Sequence, residues 1–251
     1  MFFLYTVAVA LLHGRVPAAA RWRAIVLAVA GLVLASLSWL VPEQRILHGW
    51  LLPPLLLLLG YWASGLLFVA AMPRAERVFL ALDRSLGIAG MAARTPRFVA
   101  ELLELAYAGV YPLIPIALAV HLVATPRPDA DRFWSVILIT DFICFASLPW
   151  LQMRPPRTLE GGPPWNARVR LFNVRMLHAT SIHVNTFPSG HAAEALAAAL
   201  LAVGAPALVV AAMFTTAFAV SAGTVLGRYH YAIDALTGWM VAAIVWYVLR
   251  G

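Results

Sequence analysis

The sequence predicts an all-α helical bundle that crosses a membrane several times. Of its 251 residues, 63% are hydrophobic and only 12% are charged, whereas a soluble domain carries about 25% charged residues. The apolar residues gather in stretches of about 20, the length that crosses a hydrocarbon core of about 30 Å. Because a span in lipid must satisfy its own backbone hydrogen bonds, each stretch is expected to form a helix.

Seven apolar stretches are expected to form these helices. In chain order they cover about 22–41, 49–72, 99–123, 133–151, 191–204, 206–226 and 232–250. Aromatic residues near their ends, such as Trp50, Trp134 and Trp150, match the aromatic belts of membrane interfaces. The fifth stretch is short, and the Gly-Ala-Pro break at 204–206 predicts a tight reversal into the sixth. These two helices are therefore predicted to form an antiparallel hairpin.

Two polar connections separate the apolar stretches. Segment 73–98 has five arginines around apolar positions and is predicted to be an amphipathic helix at the membrane interface. Segment 152–190 has five more arginines and a turn at 161–164. Because no internal repeat or low-complexity linker divides the chain, residues 1–251 are predicted to form one integral membrane domain. The apolar N-terminal stretch comes before Arg15, whereas a secretory signal has its basic residues before its apolar stretch. We therefore expect the N-terminal stretch to be retained in the mature protein.

The basic charge of the chain comes from arginine alone. All 18 basic residues are arginines, and the formal net charge is +7. Arginine binds phosphate with two parallel hydrogen bonds. Because the arginines stand at the ends of apolar segments, and not on a polar face with interleaved aromatic residues, the expected partners are bilayer lipids. No nucleic-acid partner is expected.

The run Pro188-Ser189-Gly190-His191 stands at the start of the fifth apolar stretch. Proline suits the beginning of a helix, and the free N–H groups of a first helical turn bind anions. His191 is then expected beside a bound phosphate, where it can give a proton to a leaving oxygen. The alternative is an ordinary turn into a helix.

A second run, from Arg228 to Asp234, joins the sixth and seventh stretches. If the last helix begins here, His230 and Asp234 share one face at i,i+4 spacing. The carboxylate can accept a hydrogen bond from one imidazole nitrogen and leave the other as a nucleophile for phosphorus. The alternative is a structural pair. The predicted hairpin favours a catalytic role for this pair. It returns His230 to the side of the membrane where His191 begins its helix and where Arg154 follows the fourth stretch.

These motifs, in this order, resemble those of the type 2 phosphatidic acid phosphatase superfamily. The family carries an Arg-Pro motif, a Pro-Ser-Gly-His motif and a final His-x3-Asp motif. The matching positions are Arg154-Pro155, Pro188 to His191, and His230 to Asp234, so the catalytic motifs lie within 152–234. The resemblance implies a six-helix phosphatase core, here with at least one additional helix before it.

The resemblance also implies a role for each motif residue. The final His230 attacks phosphorus, Asp234 orients it, and His191 protonates the leaving group. The phosphate is bound by Arg154, Ser189 and Gly190. The implied substrate is a membrane lipid with a phosphate or a phosphate-linked head group. No metal or cofactor is implied, and around His178 and His183 no Cys or carboxylate has metal-ligand spacing.

Two positions depart from the long forms of the family motifs. Ser147 stands where the first long form has Lys, and Thr224 where the third has Arg. The missing basic group can come from Arg228, which we favour, or from Arg157. Such shortened motifs resemble the branch that contains inositol phosphorylceramide and sphingomyelin synthases, which transfer a head group to or from a lipid alcohol.

Other ionisable residues lie in the apolar stretches, where burial of a charge is costly. Glu101 and Glu104 are expected to pair with loop arginines, with a substrate head group as the alternative. Glu194, three residues after His191, is expected to tune the proton affinity of that histidine. Asp141 is assigned no role.

Two arguments on membrane orientation disagree. Most arginines fall on the side of the motifs, which the positive-inside rule assigns to the cytoplasm. The resemblance favours an extracytoplasmic active site, and we adopt this orientation, in a plasma (inner) membrane, as the expectation.

Three functions are consistent with the sequence. The leading hypothesis is an integral membrane lipid phosphatase or phosphotransferase that cleaves a lipid phosphate or diphosphate ester through a histidine nucleophile. The second is a head-group transferase, since His191 can act as a base on an alcohol as well as on water. The third is a transporter or lipid-binding scaffold, which the absence of repeated broken helices at matched positions argues against.

Overall fold

The computed structural model describes residues 1–40, 47–165 and 167–250. Within these ranges the regular structure is helical, with one isolated backbone bridge between Met153 and Asn185. The helices are, in chain order, α1 (Phe2–Leu12), α2 (Ala18–Leu40), α3 (Leu52–Gly65), α4 (Pro73–Ser85), α5 (Ile88–Arg94), α6 (Arg97–Ala108), α7 (Val110–Ala124), α8 (Ala130–Ala146), α9 (Pro156–Leu159), α10 (Arg168–Thr180), α11 (Gly190–Leu201), α12 (Ala207–Leu226) and α13 (Ala232–Val248). A π-helical turn, Leu47–Leu51, leads into α3.

In the part of the chain that the structure describes, two helices are long and apolar enough to cross a membrane by themselves. They are Ala18–Leu37 within α2 and Ala207–Leu226 of α12, each of 20 residues. Helices α6 and α7 pass the same test together, although they are bent by 66° at the break between them. Shorter apolar helices are α1, α11 and α13. The chain is therefore an integral membrane protein, and the predicted all-α fold is confirmed for the described residues.

The stretch 99–123, predicted as one helix, is broken at Gly109. Helix α6 ends at Ala108 and α7 begins at Val110. Pro112 stands in the first turn of α7, where its missing N–H is tolerated. In a continuous helix the same proline would leave the Ala108 carbonyl without its donor and would clash with it. The proline therefore ends α6 and allows the chain to start a new helix in another direction.

The polar connections contain more helix than the sequence pattern indicated. Segment 73–98, predicted as one amphipathic helix, comprises α4 and α5. Gly87 separates them with a φ of 69°, in the left-handed region that glycine adopts at little cost. Segment 152–190 contains α9 and α10, of which α10 carries three arginines.

Helix α11 lies at the centre of the bundle, in contact with α7, α8, α12 and α13. Most of its alanines between Ala192 and Ala199 are fully buried, and small side chains let neighbouring helices approach closely. The approach is tightest at Gly238 of α13, where a Cβ would lie 2.6 Å from the carbonyl oxygen of Ser189. A side chain does not fit there, so the first turns of α13 are held against the start of α11.

The first three helices form an additional group beside α8. The ring of Phe2 stacks on that of Phe142, with 4.4 Å between centroids. The Tyr5 hydroxyl donates to the carbonyl oxygen of Ala146 at 2.6 Å. The prediction of at least one extra N-terminal helix is therefore confirmed, and residues near the chain start form a helix that packs on the bundle.

Candidate active site

His230 lies in the short segment between α12 and α13, and it is 8% exposed. Its backbone N–H donates to the carbonyl oxygen of Thr224 at 3.1 Å. Its Nδ1 lies 3.3 Å from Oδ2 of Asp234. The two residues lie in contact as predicted, but not on one helix face, because α13 begins at Ala232 and His230 precedes it.

The Asp234 carboxyl is buried and is held by two further donors. Its Oδ2 accepts from the backbone N–H of Tyr231 at 3.0 Å and from Nδ2 of Asn185 at 2.8 Å. In the tautomer of His230 whose Nδ1 donates to this oxygen, Nε2 has the lone pair that a nucleophile requires.

His191 is the second residue of α11. The Ser189 hydroxyl accepts from the N–H of Ala192 at 3.4 Å and caps the helix. The backbone N–H of Ser189 donates to the carbonyl oxygen of Asp234 at 2.9 Å. This bond joins the two motifs directly, and the ring centroids of His191 and His230 are 6.0 Å apart.

Two tyrosines hold the ring of His191 and the segment before His230. Tyr107 of α6 stacks on His191 at 5.2 Å between centroids and on Tyr229 at 3.8 Å. The Tyr229 hydroxyl donates to Oε2 of Glu104 at 2.6 Å. Nε2 of His191 is buried and has no hydrogen-bond partner in the described part of the chain, so it is available to a substrate atom.

The protonation of His230 is set by its surroundings. Burial is the main cause that lowers the pKa of His230 from 6.5 to about 3, and the charge of Arg157 acts in the same direction. A hydrogen bond with the backbone of Thr186 opposes this shift. The imidazole is therefore neutral near pH 7, and a neutral imidazole has the lone pair that nucleophilic attack needs.

Arg157 supplies positive charge beside the histidines. Its backbone N–H donates to the carbonyl oxygen of Arg228 at 3.0 Å, and its guanidinium lies over the ring of Tyr229, 5.2 Å from the centroid. Among the described residues no carboxylate forms an ion pair with it. Burial lowers the pKa of Arg157, yet a guanidinium stays protonated in proteins. Nη1 donates to the carbonyl oxygen of Tyr229 at 3.5 Å, and because no carboxylate of the described residues takes up the guanidinium, its other donors can bind an anion.

Arg154, expected in the phosphate cradle, is paired with α4 instead. Its backbone N–H and Nε donate to Oε1 of Glu76 at 2.9 and 3.0 Å, and Nη2 donates to Oε2 at 2.9 Å. These hydrogen bonds lower the pKa of Glu76. The guanidinium does not line the cavity that contains the two histidines.

Arg228, which the sequence favoured over Arg157, is also engaged elsewhere. It is 5% exposed, with Nη2 2.5 Å from Oε2 of Glu160 and Nη1 3.6 Å from Oδ2 of Asp83. The structure therefore places Arg157, and not Arg228, at the histidines. The reason is that Glu76 of α4 pairs with Arg154, while Asp83 of α4 and Glu160 pair with Arg228. The acidic residues are visible in the sequence, but their arginine partners are not.

The two departures from the long family motifs support the site through hydrogen bonds. The Ser147 hydroxyl donates to the carbonyl oxygen of Phe187, directly before Pro188. The carbonyl oxygen of Thr224 accepts the N–H groups of Tyr229 and His230, at 3.0 and 3.1 Å. Ser147 therefore holds the backbone before the Pro188–His191 motif, and Thr224 holds the backbone at the start of the His230–Asp234 motif.

The predicted pairing of Glu104 with a loop arginine is confirmed. Its Oε1 accepts from Nη1 of Arg170 at 2.7 Å. Glu101 instead accepts from the backbone N–H groups of Arg168 and Val169, at 2.7 and 3.0 Å, and so caps α10. These carboxylates hold α10 against α6 and do not line the cavity.

A cavity of about 620 Å³ contains the site. Its polar lining includes His191, His230 and Arg157. The rest of the wall is mostly apolar and aromatic, and includes Trp50, Leu57, Ile114, Trp134 and Phe145. A cavity with these two kinds of lining can hold the phosphate and the chain of one amphiphile.

The two histidines of segment 152–190 lie outside the cavity. His178 and His183 are exposed, and their rings contact each other with centroids 5.9 Å apart. In residues 1–40, 47–165 and 167–250, no group of three or more His, Cys, Asp and Glu side chains is arranged to hold a metal ion.

The fold is that of a membrane-embedded helical protein with a buried histidine pair. A family model described as the PAP2 superfamily matches residues 74–248, more than half of the chain. The chain belongs to the PAP2 superfamily, whose members are generally phosphatases or phosphotransferases. The match runs from α4 to α13, so α1 to α3 are additional to the family core. No curated protein and no solved structure matches the chain.

Proposed function

We propose that this protein is an integral membrane lipid phosphatase or phosphotransferase in which His230 attacks phosphorus. The observation that carries the proposal is the pair of imidazoles, 6.0 Å apart, on a cavity that also holds Arg157 and a long apolar wall. A phosphorus atom between the rings has a nucleophile on one side and a proton donor on the other. In-line displacement at phosphorus requires this arrangement.

The phosphate is proposed to bind at the start of α11. The N–H groups of a first helical turn have no intrahelical acceptor, and the helix dipole favours an anion there. Gly190 keeps this turn free of side-chain bulk, and Ser189 caps it. Arg157 adds charge-assisted hydrogen bonds. The lipid chain then lies along the apolar wall of the cavity.

In the first step, Nε2 of His230 forms a bond to phosphorus while the bond from phosphorus to the leaving oxygen breaks. Asp234 accepts from Nδ1–H and stabilises the imidazolium charge that develops. His191 takes up a proton when the phosphate anion binds beside it, and gives this proton to the leaving oxygen. The products are a phosphohistidine and a lipid alcohol, or a lipid monophosphate where the substrate is a diphosphate.

The second step restores the enzyme. His191, now neutral, takes a proton from water or from an alcohol, whose oxygen bonds to phosphorus while the phosphorus–nitrogen bond breaks. With water the product is inorganic phosphate, and with an alcohol it is a new phosphate ester. Phosphatase and head-group transferase therefore use the same side chains and differ in the acceptor.

The direct test uses purified protein with a panel of lipid phosphates and diphosphates in the presence of a chelator. We expect release of inorganic phosphate, inhibition by vanadate, and a loss of activity of at least about 10²-fold in His191→Ala and His230→Ala. His178→Ala, which changes an exposed histidine of α10, is the matched control and should keep the wild-type rate.

The outcomes separate the mechanisms. Full activity in both His191→Ala and His230→Ala overturns the histidine mechanism. A new phosphate ester that forms only with an added alcohol, without free phosphate, assigns the transferase reaction.

We propose that the site faces the extracytoplasmic side of the membrane, as the family resemblance implies. The only cysteine, Cys144, is buried. A His178→Cys change in a Cys144→Ser background therefore gives one accessible thiol beside the catalytic loop. A membrane-impermeant maleimide should label it in intact cells. Labelling only after lysis would place the site in the cytoplasm, the side that the arginine distribution favours.

A further inference from the structure

Two carboxyl groups line the cavity and have no part in the mechanism above. They belong to Asp141 of α8 and Glu194 of α11. Asp141 is 2% exposed, and its Oδ2 has no hydrogen-bond partner among the described residues. Glu194 likewise forms no hydrogen bond or ion pair within the described ranges. Carboxyl groups buried in a membrane protein are costly unless they are paired, and they commonly mark a substrate path.

The two carboxyls stand on helices that touch. A Cβ on Gly190 would lie 3.4 Å from Oδ1 of Asp141. Glu194 follows Gly190 by four residues and therefore shares its face of α11. The two carboxyls interact electrostatically. Because Glu194 is three residues from His191, it lies about one helical turn, roughly 5 Å, along α11 from that histidine, whereas Asp141 lies beside Gly190 at the helix start.

Within the described ranges, no cation accompanies this pair of carboxyls. Arg170 forms its ion pair with Glu104, and Arg157 stands beside the histidines. In the described part of the chain no cationic side chain forms an ion pair with Asp141 or Glu194. Two carboxyls on one apolar cavity repel each other and lack their hydration. A bound hydrogen-bond donor relieves both effects.

We propose that Asp141 and Glu194 bind a hydrogen-bond donor of the lipid substrate, a protonated amine or a hydroxyl that lies a few bonds from the phosphate. This inference rests on the proposed function, since the phosphate must be held at His191 and His230 for the donor to reach the carboxyls. The donor group bonds to the carboxyl oxygens, and the lipid chain continues along the apolar wall. The pair sets substrate selectivity, whereas the histidines carry out the chemistry.

Matched lipids test the subsite. The probes are hexadecyl phosphate, 2-hydroxyhexadecyl phosphate and 2-aminohexadecyl phosphate, compared by kcat/KM with the wild-type protein. One hydrogen bond to a buried carboxyl group corresponds to about a tenfold change. We therefore expect the better donor-bearing lipid to exceed hexadecyl phosphate by about tenfold or more. Whether that lipid is the amine or the hydroxyl identifies the ligand.

Variants assign the preference to the two residues. In Asp141→Asn and in Glu194→Gln, the ratio of kcat/KM between donor-bearing and plain lipid should fall towards one. Asp131→Asn, at the exposed start of α8, is the matched control and should keep the wild-type ratio. Because kcat/KM for the two lipids is compared within each variant, a smaller folded fraction lowers both values equally and leaves their ratio unchanged.

Two results overturn the subsite. One is a wild-type ratio near one, and the other is an unchanged ratio in both carboxyl variants. Failure of the proposed function is a separate result, because it shows as full activity of His230→Ala on all three lipids.

Discussion

The backbone N–H of Ser189 donates to the carbonyl oxygen of Asp234 at 2.9 Å, so one hydrogen bond joins the helix start of His191 to the helix start beside His230. Asp234 uses its side chain on His230 and its main chain on Ser189. The two histidines are therefore positioned by the same residue. The distance between them depends on how closely α11 and α13 pack.

Gly238 sets that packing distance. A Cβ at this position would lie 2.6 Å from the carbonyl oxygen of Ser189 and 3.2 Å from the backbone nitrogen of Ala193. Gly238→Ala is expected to move α13 away from α11 and to destabilise the protein by about 1–3 kcal/mol. It should lower kcat at least about tenfold, because a misplacement of about 1 Å at a reacting group can cost up to about 10²-fold. Phosphate release and thermal unfolding in detergent measure both effects.

Gly90→Ala is the control for this change. Nothing lies within 4 Å of a Cβ at Gly90 in α5, so alanine there should be neutral or slightly stabilising. Normal activity of Gly238→Ala would show that the contact between the two helices does not set the histidine geometry.

The sequence predicts those parts of the site that depend only on residues close to one another along the chain. The turn at 188–190 precedes a helix, so it places His191 in a first turn whatever the rest of the fold is. Asp234 reaches His230 because its carboxyl folds back over the start of α13, where it accepts from the N–H of Tyr231, the residue directly after His230. Neither inference needs knowledge of distant contacts.

The choice of the phosphate-binding arginine is not local. Arg154 is taken by Glu76, 78 residues away, and Arg228 by Glu160, 68 residues away. No spacing rule relates residues at such separations, because tertiary packing decides which acid each arginine meets. Arg157 is left for the cavity by these two pairings, and a single sequence does not show them.

Arg157 is expected to bind the substrate phosphate. Arg157→Gln should lower kcat/KM by about 10²-fold, since it removes charge-assisted hydrogen bonds that are individually worth about tenfold. Thermal unfolding should change little, because no carboxylate loses its partner. Arg175→Gln, on the exposed surface of α10, is the matched control for loss of one arginine. Equal kcat/KM values for the two variants would remove Arg157 from the site.

Arg228 is expected to act through stability. Arg228→Gln leaves the buried Asp83 without its cation and should destabilise the protein by about 3–5 kcal/mol. Adding Asp83→Asn removes the unpaired charge and should recover part of the loss. Thermal unfolding of the single and double variants measures this. If Arg228→Gln kept its stability and lost its activity, the sequence-based assignment of Arg228 to the phosphate would be restored.

Asn185 is a site residue that no sequence pattern indicated. Its Nδ2 donates to Oδ2 of Asp234 at 2.8 Å, and its backbone N–H donates to the carbonyl oxygen of Met153 at 2.8 Å. Asn185→Ala should lower kcat by about tenfold with little change in KM, because Asp234 loses a donor. Asn185→Asp keeps the shape but sets a second carboxyl against Asp234, so it should lower kcat further. Steady-state kinetics that show a fully active Asn185→Asp would make this hydrogen bond unnecessary.

The lowered pKa of His230 is expected to make the fold sensitive to acid. In the unfolded chain this imidazole binds its proton near pH 6.5, whereas in the folded protein burial delays protonation to about pH 3. Between these values the unfolded state binds more protons, so stability falls as the pH falls. The contribution of this one group reaches about 1.4 kcal/mol per pH unit inside the window.

Thermal unfolding between about pH 7 and pH 5 tests this by comparing the wild type with His230→Gln, whose side chain does not titrate. As the pH falls, the Tm of the wild type should fall relative to the Tm of His230→Gln. His178→Gln changes an exposed histidine and should keep the wild-type slope. If His230→Gln also kept the wild-type slope, His230 would titrate alike in both states, and the neutral nucleophile would lose its physical basis.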